Sequence, residues 1–267
     1  NTKNRAFDIL VKIAAVLFIP LFTWFLFNLS DTGKKNDNSF EKTTSYLSGT
    51  GIRYKVDSGI KATLTLPDSS KVWLNSDSYL DIPEDFGKSN RIVYLSGEGY
   101  FDIESDETSP FLIKTPGSFM VKVTGTEFNL SCYEDDKNMK ITLLKGSLQV
   151  IKETDNEIIN VNALEEVVIN YKTLEDKTEN QIDTNYAKAW KDGNLRFKNT
   201  PMDEVIRKME RWYGIKISVD NPDVYKHTFT ADFESESINQ VLNLLSISTN
   251  ITYDITGNNV RLGISAK

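Results

Sequence analysis

The chain has 267 residues, 39% hydrophobic, 26% charged and 11% aromatic, a globular balance that excludes low-complexity disorder, collagen repeats, long coiled coils and multi-span membrane proteins. Its 31 Lys and Arg face 38 Asp and Glu for a net charge of -7, so it gains little from phosphate backbones and no direct nucleic-acid partner is expected. With one cysteine, Cys132, and one histidine, His227, it cannot build a disulfide, a zinc cluster or a His-rich site, so no metal and no cofactor is expected.

Residues 1–8 read as a short cytoplasmic stub. Residues 9–29, ILVKIAAVLFIPLFTWFLFNL, are an apolar run of about 21 residues, about 31 Å as a helix, which matches a bilayer's hydrocarbon core. Its one charge, Lys12, lies a turn from the polar end and can snorkel, and Pro20 is expected to kink the helix. No small-residue cleavage site or lipid-bearing cysteine follows Leu29, so the run reads as an uncleaved single span. Lys3, Arg5 and Lys12 against Asp8 put the N-terminus in the cytoplasm and the bulk of the chain in the periplasm, anchored in the inner membrane. The chain opens at Asn1, so further cytoplasmic sequence is expected before it.

Residues 30–45 are polar and aperiodic, a juxtamembrane linker. From 46 to 172 the pattern is short strands at 61–66, 71–75, 91–95, 99–103, 111–115, 119–123, 126–133, 140–144 and 147–151. Turn residues such as Pro67-Asp68-Ser69, Gly97 and Thr115-Pro116-Gly117 separate them, which predicts an all-β sandwich or solenoid. Residues 173–188 read as a second linker.

The pattern changes over 189–267. A short strand at 195–197 precedes Thr200-Pro201, an N-cap and first-turn proline, and a helix carrying Met202, Val205, Ile206, Met209, Trp212 and Tyr213 on one face before Gly214. Strands follow at 215–219 and 228–233. Ser237 and Gln240 make a capping box for a second helix, and 251–256 with 259–263 close as a hairpin around Gly257-Asn258. The order βαβ then βαββ predicts a small α+β domain.

Catalytic machinery is sparse. His227 has no GxSxG elbow to serve, and Cys132 is expected to share the face of Phe128 and Leu130 in the core. Glu98 and Glu104, with Asp102 between them, are imaginable glycosidase carboxylates, and Trp73, Tyr79, Tyr94, Tyr100 and Phe101 an imaginable sugar face, although solvated strand positions and core aromatics account for both. A membrane-anchored periplasmic glycan-binding or glycan-hydrolysing protein is therefore the alternative reading, and a structural part of a secretin-like assembly a third. In the small domain, Phe229 and Phe233 on strand 228–233 are candidate partner contacts at a free sheet edge, with core packing the competing use.

Several motifs in order carry a resemblance. LPDSSKVWLN (66–75), RIVYLSGEGYFDI (91–103), PFLIKT (110–115), VTGTEFNL (123–130) and LLKGSLQV (143–150) resemble the periplasmic FecR-type domain of transmembrane anti-sigma factors. AWKDGNLRF (189–197) and MERWYGIKI (209–217) resemble the C-terminal domain appended to such proteins in Bacteroidota, itself similar to signalling domains of TonB-dependent transducers. The usual Pro-Asp-Gly turn is Pro67-Asp68-Ser69, and the usual Pro-Gly-Glu is replaced around 163–166, both of them loop changes.

The resemblance implies a non-enzymatic relay. An outer-membrane TonB-dependent transducer would touch the periplasmic region, and an extracytoplasmic-function sigma factor would bind a cytoplasmic region outside this chain, with envelope proteases as transmitters. Some relatives cut themselves at a Gly-Thr bond that corresponds to Gly125-Thr126, which makes that bond a candidate for single-turnover self-cleavage, with a bulge at Gly125 as the competing reading.

Overall fold

The computed structural model describes residues 51–265; the stub, the predicted span over 9–29 and the linker over 30–45 lie outside them. Among the described residues no helix is long and apolar enough to cross a membrane.

The first domain is built from strands β1 (Gly51–Val56), β2 (Ala62–Thr65), β3 (Lys71–Leu74), β4 (Ser78–Pro83), β5 (Arg91–Asp102), β6 (Phe111–Thr115), β7 (Phe119–Val123), β8 (Glu127–Cys132), β9 (Asn138–Lys145), β10 (Ser147–Lys152), β11 (Ile158–Asn162), β12 (Glu165–Asn170) and β13 (Asp176–Asn180). They pair as two sheets, β1-β4-β5-β6-β7-β10-β11 and β2-β3-β5-β8-β9-β12-β13, so the expected all-β domain is a sandwich, with β5 in both layers. All pairings in it are antiparallel except β5 with β6.

The sequence pattern suggests two strands, 91–95 and 99–103, where the structure has one. Arg91–Tyr94 pairs with β6, and Gly97–Asp102 pairs with β8 in the other sheet. Gly97 permits the crossing because its φ is 113° and a Cβ there would lie 2.6 Å from Ser78 Cα. The Ser78 hydroxyl accepts the Glu98 N–H at 2.9 Å, closing the backbone at the switch.

Alternate residues of both sheets bury into one core, in which Phe101 stacks on Phe128 at 5.1 Å and Phe86 meets Phe111 edge-on at 5.8 Å. Cys132 is fully buried beside Phe128 and Leu130, as expected, because the ladder's irregularity falls at Glu127/Phe128 and leaves residues 128–132 in even alternation. Burial pushes its thiol pKa up.

The region expected to be a linker over 173–188 is ordered differently. Asp176–Asn180 pairs with β12 as an edge strand with every residue exposed, and Thr184–Lys188 forms a short helix, α1, capped by the Asp183 carboxylate accepting the Asn185 N–H at 3.0 Å.

The second domain follows in the expected order: β14 (Leu195–Pro201), α2 (Met202–Tyr213), β15 (Lys216–Val219), a 3-10 turn (Pro222–Lys226), β16 (Thr228–Phe233), α3 (Ile238–Ser248), β17 (Ile251–Thr256) and β18 (Asn259–Ile264). β14 and β16 make a two-stranded antiparallel sheet; β15, β18 and β17 make a second, with β15 and β18 parallel. Gly214 ends α2 at φ 64°, and the Ser237–Gln240 capping box opens α3. The other cap differs from expectation. Pro201 stands at the N-cap of α2, and the Thr200 hydroxyl accepts the Lys198 N–H at 3.0 Å instead, serving the bulge in β14.

Candidate functional site

Gly125 and Thr126 lie in the tight connection between β7 and β8. A Cβ on Gly125 would approach Ser105 Cα to 2.8 Å, and one on Gly146 would approach the Gly125 carbonyl oxygen to 2.7 Å, so glycine is required on both sides of this peptide. Thr126 is 3% exposed; its hydroxyl donates to the Ser147 carbonyl at 3.0 Å, and its carbonyl accepts the Ile103 N–H at 3.0 Å. The hydroxyl's acceptor is thus a carbonyl, which cannot take its proton. The neighbouring carboxylate, Glu127, accepts the Tyr100 hydroxyl at 2.5 Å on β5, so it serves another bond. The arrangement holds a candidate nucleophile next to the Gly125 carbonyl with no base assembled.

Phe229 and Phe233 are each 4% exposed and pack with Phe197 in the second domain's core, with ring centres 5.6 Å (Phe197–Phe229) and 6.3 Å (Phe197–Phe233) apart. Of the two uses the sequence allows them, the fold adopts packing. Among the described residues their strand, β16, pairs on one side only, with β14. His227 caps the 3-10 turn and is half-buried.

Among the carboxylates weighed as catalytic, Glu98 accepts the side-chain amides of Asn75 at 2.7 Å and Asn129 at 2.9 Å, whereas Asp102 and Glu104 are exposed. Among the described residues no group of three or more His, Cys, Asp or Glu is placed to hold a metal ion.

Glu98 and Asn129 belong to the junction of the two domains. Both domains fall in one contiguous compact unit, with a cavity of about 330 Å³ between them. On the sandwich side stand Asn129 of β8, Tyr133, Asp135 and Asp136 of the β8–β9 turn, and Lys140 of β9. The facing element is α2. Its Val205, Ile206 and Met209 enter the second core, which leaves Asp203, Glu204, Arg207, Lys208 and Arg211 at helical spacing on the side toward the sandwich.

Arg211 is the most buried of these, 9% exposed. Its guanidinium donates to Asp135 at 2.7 Å and to both oxygens of Asp136 at 3.0 Å, and it lies 3.5 Å from the centre of the Tyr133 ring. Burial alone would lower its pKa; Asp136 reverses that and raises it. Arg207 reaches the same Asp136 at 2.8 Å. Lys140 donates to Glu204 at 2.8 Å, Lys208 lies 3.2 Å from that carboxylate, and Lys137 donates to Asp203 at 2.7 Å. Burial pushes the Glu204 carboxyl up, but Lys208 and Lys140 outweigh it and bring it down to about 2.

Two further ties complete the junction. The Trp190 indole N–H, just after α1, donates to Asn129 Oδ1 at 2.9 Å, and the Gly59 N–H donates to the Arg211 carbonyl at 2.8 Å. Lys61 sits 3.5 Å over the Trp212 ring.

This architecture has known counterparts. The FecR protein family model matches residues 52–149, and the FecR C-terminal model matches residues 194–262. No protein with a curated description matches the chain. Two crystal structures of a candidate anti-sigma factor from Parabacteroides distasonis ATCC 8503, at 1.65 and 2.50 Å resolution, superpose with a TM-score of 0.73 at 28% identity, the match covering 80% of this chain and 99% of that one.

Proposed function

Because this chain belongs to the FecR family, we propose that it is an anti-sigma regulator, a single-pass inner-membrane protein whose described domains face the periplasm and receive a signal. The observation that carries this reading is the pairing of both FecR domains, in the same order, with nearly the whole of a candidate anti-sigma factor. The signal would come from the periplasmic domain of an outer-membrane TonB-dependent transducer, and the responder would be an extracytoplasmic-function sigma factor bound on the cytoplasmic side. No turnover chemistry is needed for this role.

The test is transcriptional. Deleting residues 51–265 while keeping the anchor is expected to change transcription from the promoters of one sigma factor and to uncouple it from transducer stimulation. Unaltered transcription would overturn the reading. Protease added to spheroplasts is expected to digest the described domains, and protection would overturn the topology.

Self-processing at Gly125-Thr126 is the finer part of the proposal, supported by the enclosed hydroxyl and the two required glycines. The Thr126 hydroxyl oxygen would bond to the Gly125 carbonyl carbon as the C–N bond breaks and the hydroxyl proton passes to the departing nitrogen, giving an ester and a free Thr126 amine. Water would then hydrolyse the ester to a Gly125 carboxylate and restore the hydroxyl. Intact-mass analysis is expected to find two fragments meeting at this bond in the wild type and one species in Thr126→Ala; a single intact species in both would remove the step.

A further inference from the structure

The apolar interior of the molecule is divided. Among the described residues one cluster of buried side chains ends at Ile169 and the other begins at Leu195, and none belongs to both. The layer between them carries a dense set of charged and hydrogen-bonding groups around a cavity, and its apolar members, Ala187, Ala189 and Trp190, are buried there without joining either core. The charged groups lining it are already matched within the chain: Lys140 and Lys208 on Glu204, Arg207 and Arg211 on Asp136, Lys137 on Asp203, with Glu98 held by Asn75 and Asn129. The lining therefore has the character of an interface and not of a site waiting for a ligand. The two large aromatic groups buried there are also tied through polar atoms, Trp190 to Asn129 and the Tyr133 hydroxyl to the Ser76 carbonyl at 2.8 Å.

We infer that the second domain is docked on the sandwich by this charged face of α2 and leaves it as an intact body, so that the molecule has a closed and an open arrangement with both cores preserved. An interface without a shared apolar core has little area-proportional attraction to resist separation, and relative motion is the default for such domain pairs. What holds it closed is Coulombic and is weakened by salt where water reaches it. Arg211 is the centre of the latch, because it binds two aspartates of the β8–β9 turn while its own carbonyl accepts from Gly59. The inference is independent of the signalling role proposed above, since it concerns only how two folded bodies of this chain adhere.

The experiment is a distance measurement on the full chain in detergent. Fluorophores are placed on cysteines introduced at the exposed Thr154 of the sandwich and the exposed Asn243 of α3; native Cys132 is fully buried and stays unlabelled. Salt is raised from about 0.1 M to about 1 M, over which the screening length falls from about 10 Å to about 3 Å. The expected result is a fall in energy transfer with near-ultraviolet circular dichroism unchanged, domains parting while folded. Arg211→Glu is expected to give the open value already at low salt, and Asp135→Arg with Asp136→Arg added to it is expected to restore closure. Constant transfer across the salt range overturns the inference, and so does a fall that coincides with loss of the near-ultraviolet signal. The salt titration decides the matter even if the variants fail to fold.

Discussion

The interior of the sandwich and the junction between the domains are held by opposite means, the first sealed from water and the second partly open to it. Inside the sandwich, Phe101 and Phe128 stack among fully buried aliphatic side chains, and dispersion with the hydrophobic effect does the holding. At the junction, four cations of α2 and β9 meet Glu204, Asp135 and Asp136. Contact between two folded domains therefore does not by itself indicate permanence. The first region is specified by shape and indifferent to ions; the second is specified by charge and answers to them.

Four measurements sharpen that contrast. The largest effect is expected from Phe128→Ala, which opens a void against Phe101 and costs about 3–5 kcal/mol in urea unfolding at any salt concentration. A loss that shrinks with salt would show that the core shares the junction's electrostatics. Next comes Trp190→Phe, which leaves the buried Asn129 Oδ1 without its donor, for a loss of about 1–3 kcal/mol. That loss belongs to docking, so it is expected to vanish once the domains are parted.

A further effect concerns acid. The folded-state pKa of Glu204 is depressed, so its contribution is fully present above the ordinary value of 4.5 and is lost as pH falls from there toward about 2. Unfolding free energy followed over that window is expected to decline less steeply in Glu204→Gln than in the wild type; equal slopes would remove Glu204 from the account. The smallest effect is that of Lys177→Ala, which breaks the pair with Glu179 on the all-exposed β13 and is expected to leave the melting temperature unmoved.

Legibility in the sequence followed the apolar pattern. β6, β7 and β10 alternate between buried and less buried residues and are recognisable from their residues alone. β4 is less so, because Asp81 is 7% exposed within it and its justification is Arg53 on the neighbouring strand, a partner 28 residues away. β13 has no buried side at all, so it reads as linker. β5 reads as two strands because Ser96-Gly97-Glu98-Gly99 looks like a turn, whereas the fold needs that flexibility inside a continuous strand.

The junction was the least legible part. Asp203, Glu204, Arg207, Lys208 and Arg211 have the spacing of a helix's solvent side, and nothing local distinguishes a stripe that faces water from one that faces another domain. Asp135, Asp136, Lys137 and Lys140, far away in sequence, supply the difference. Phe229 and Phe233 were ambiguous for the converse reason, since an aromatic on an edge strand serves a core or a partner equally well until Phe197 is placed beside it. The crowding of Gly125 and Thr126 by Ser105 and Gly146 comes from loops that the local sequence does not announce.

The shared strand β5 also bears on how the first domain comes together as the chain is made from its N-terminus. β1 to β4 supply partners for both layers, yet neither layer can join its two halves until residues 91–102 have emerged, because that one segment is the seam of each. Once it is laid down, neither layer can be peeled away without pulling out the middle of the other. The sandwich is therefore expected to gain and lose its structure as one indivisible step, with Gly97 as the hinge pin on which both leaves are hung.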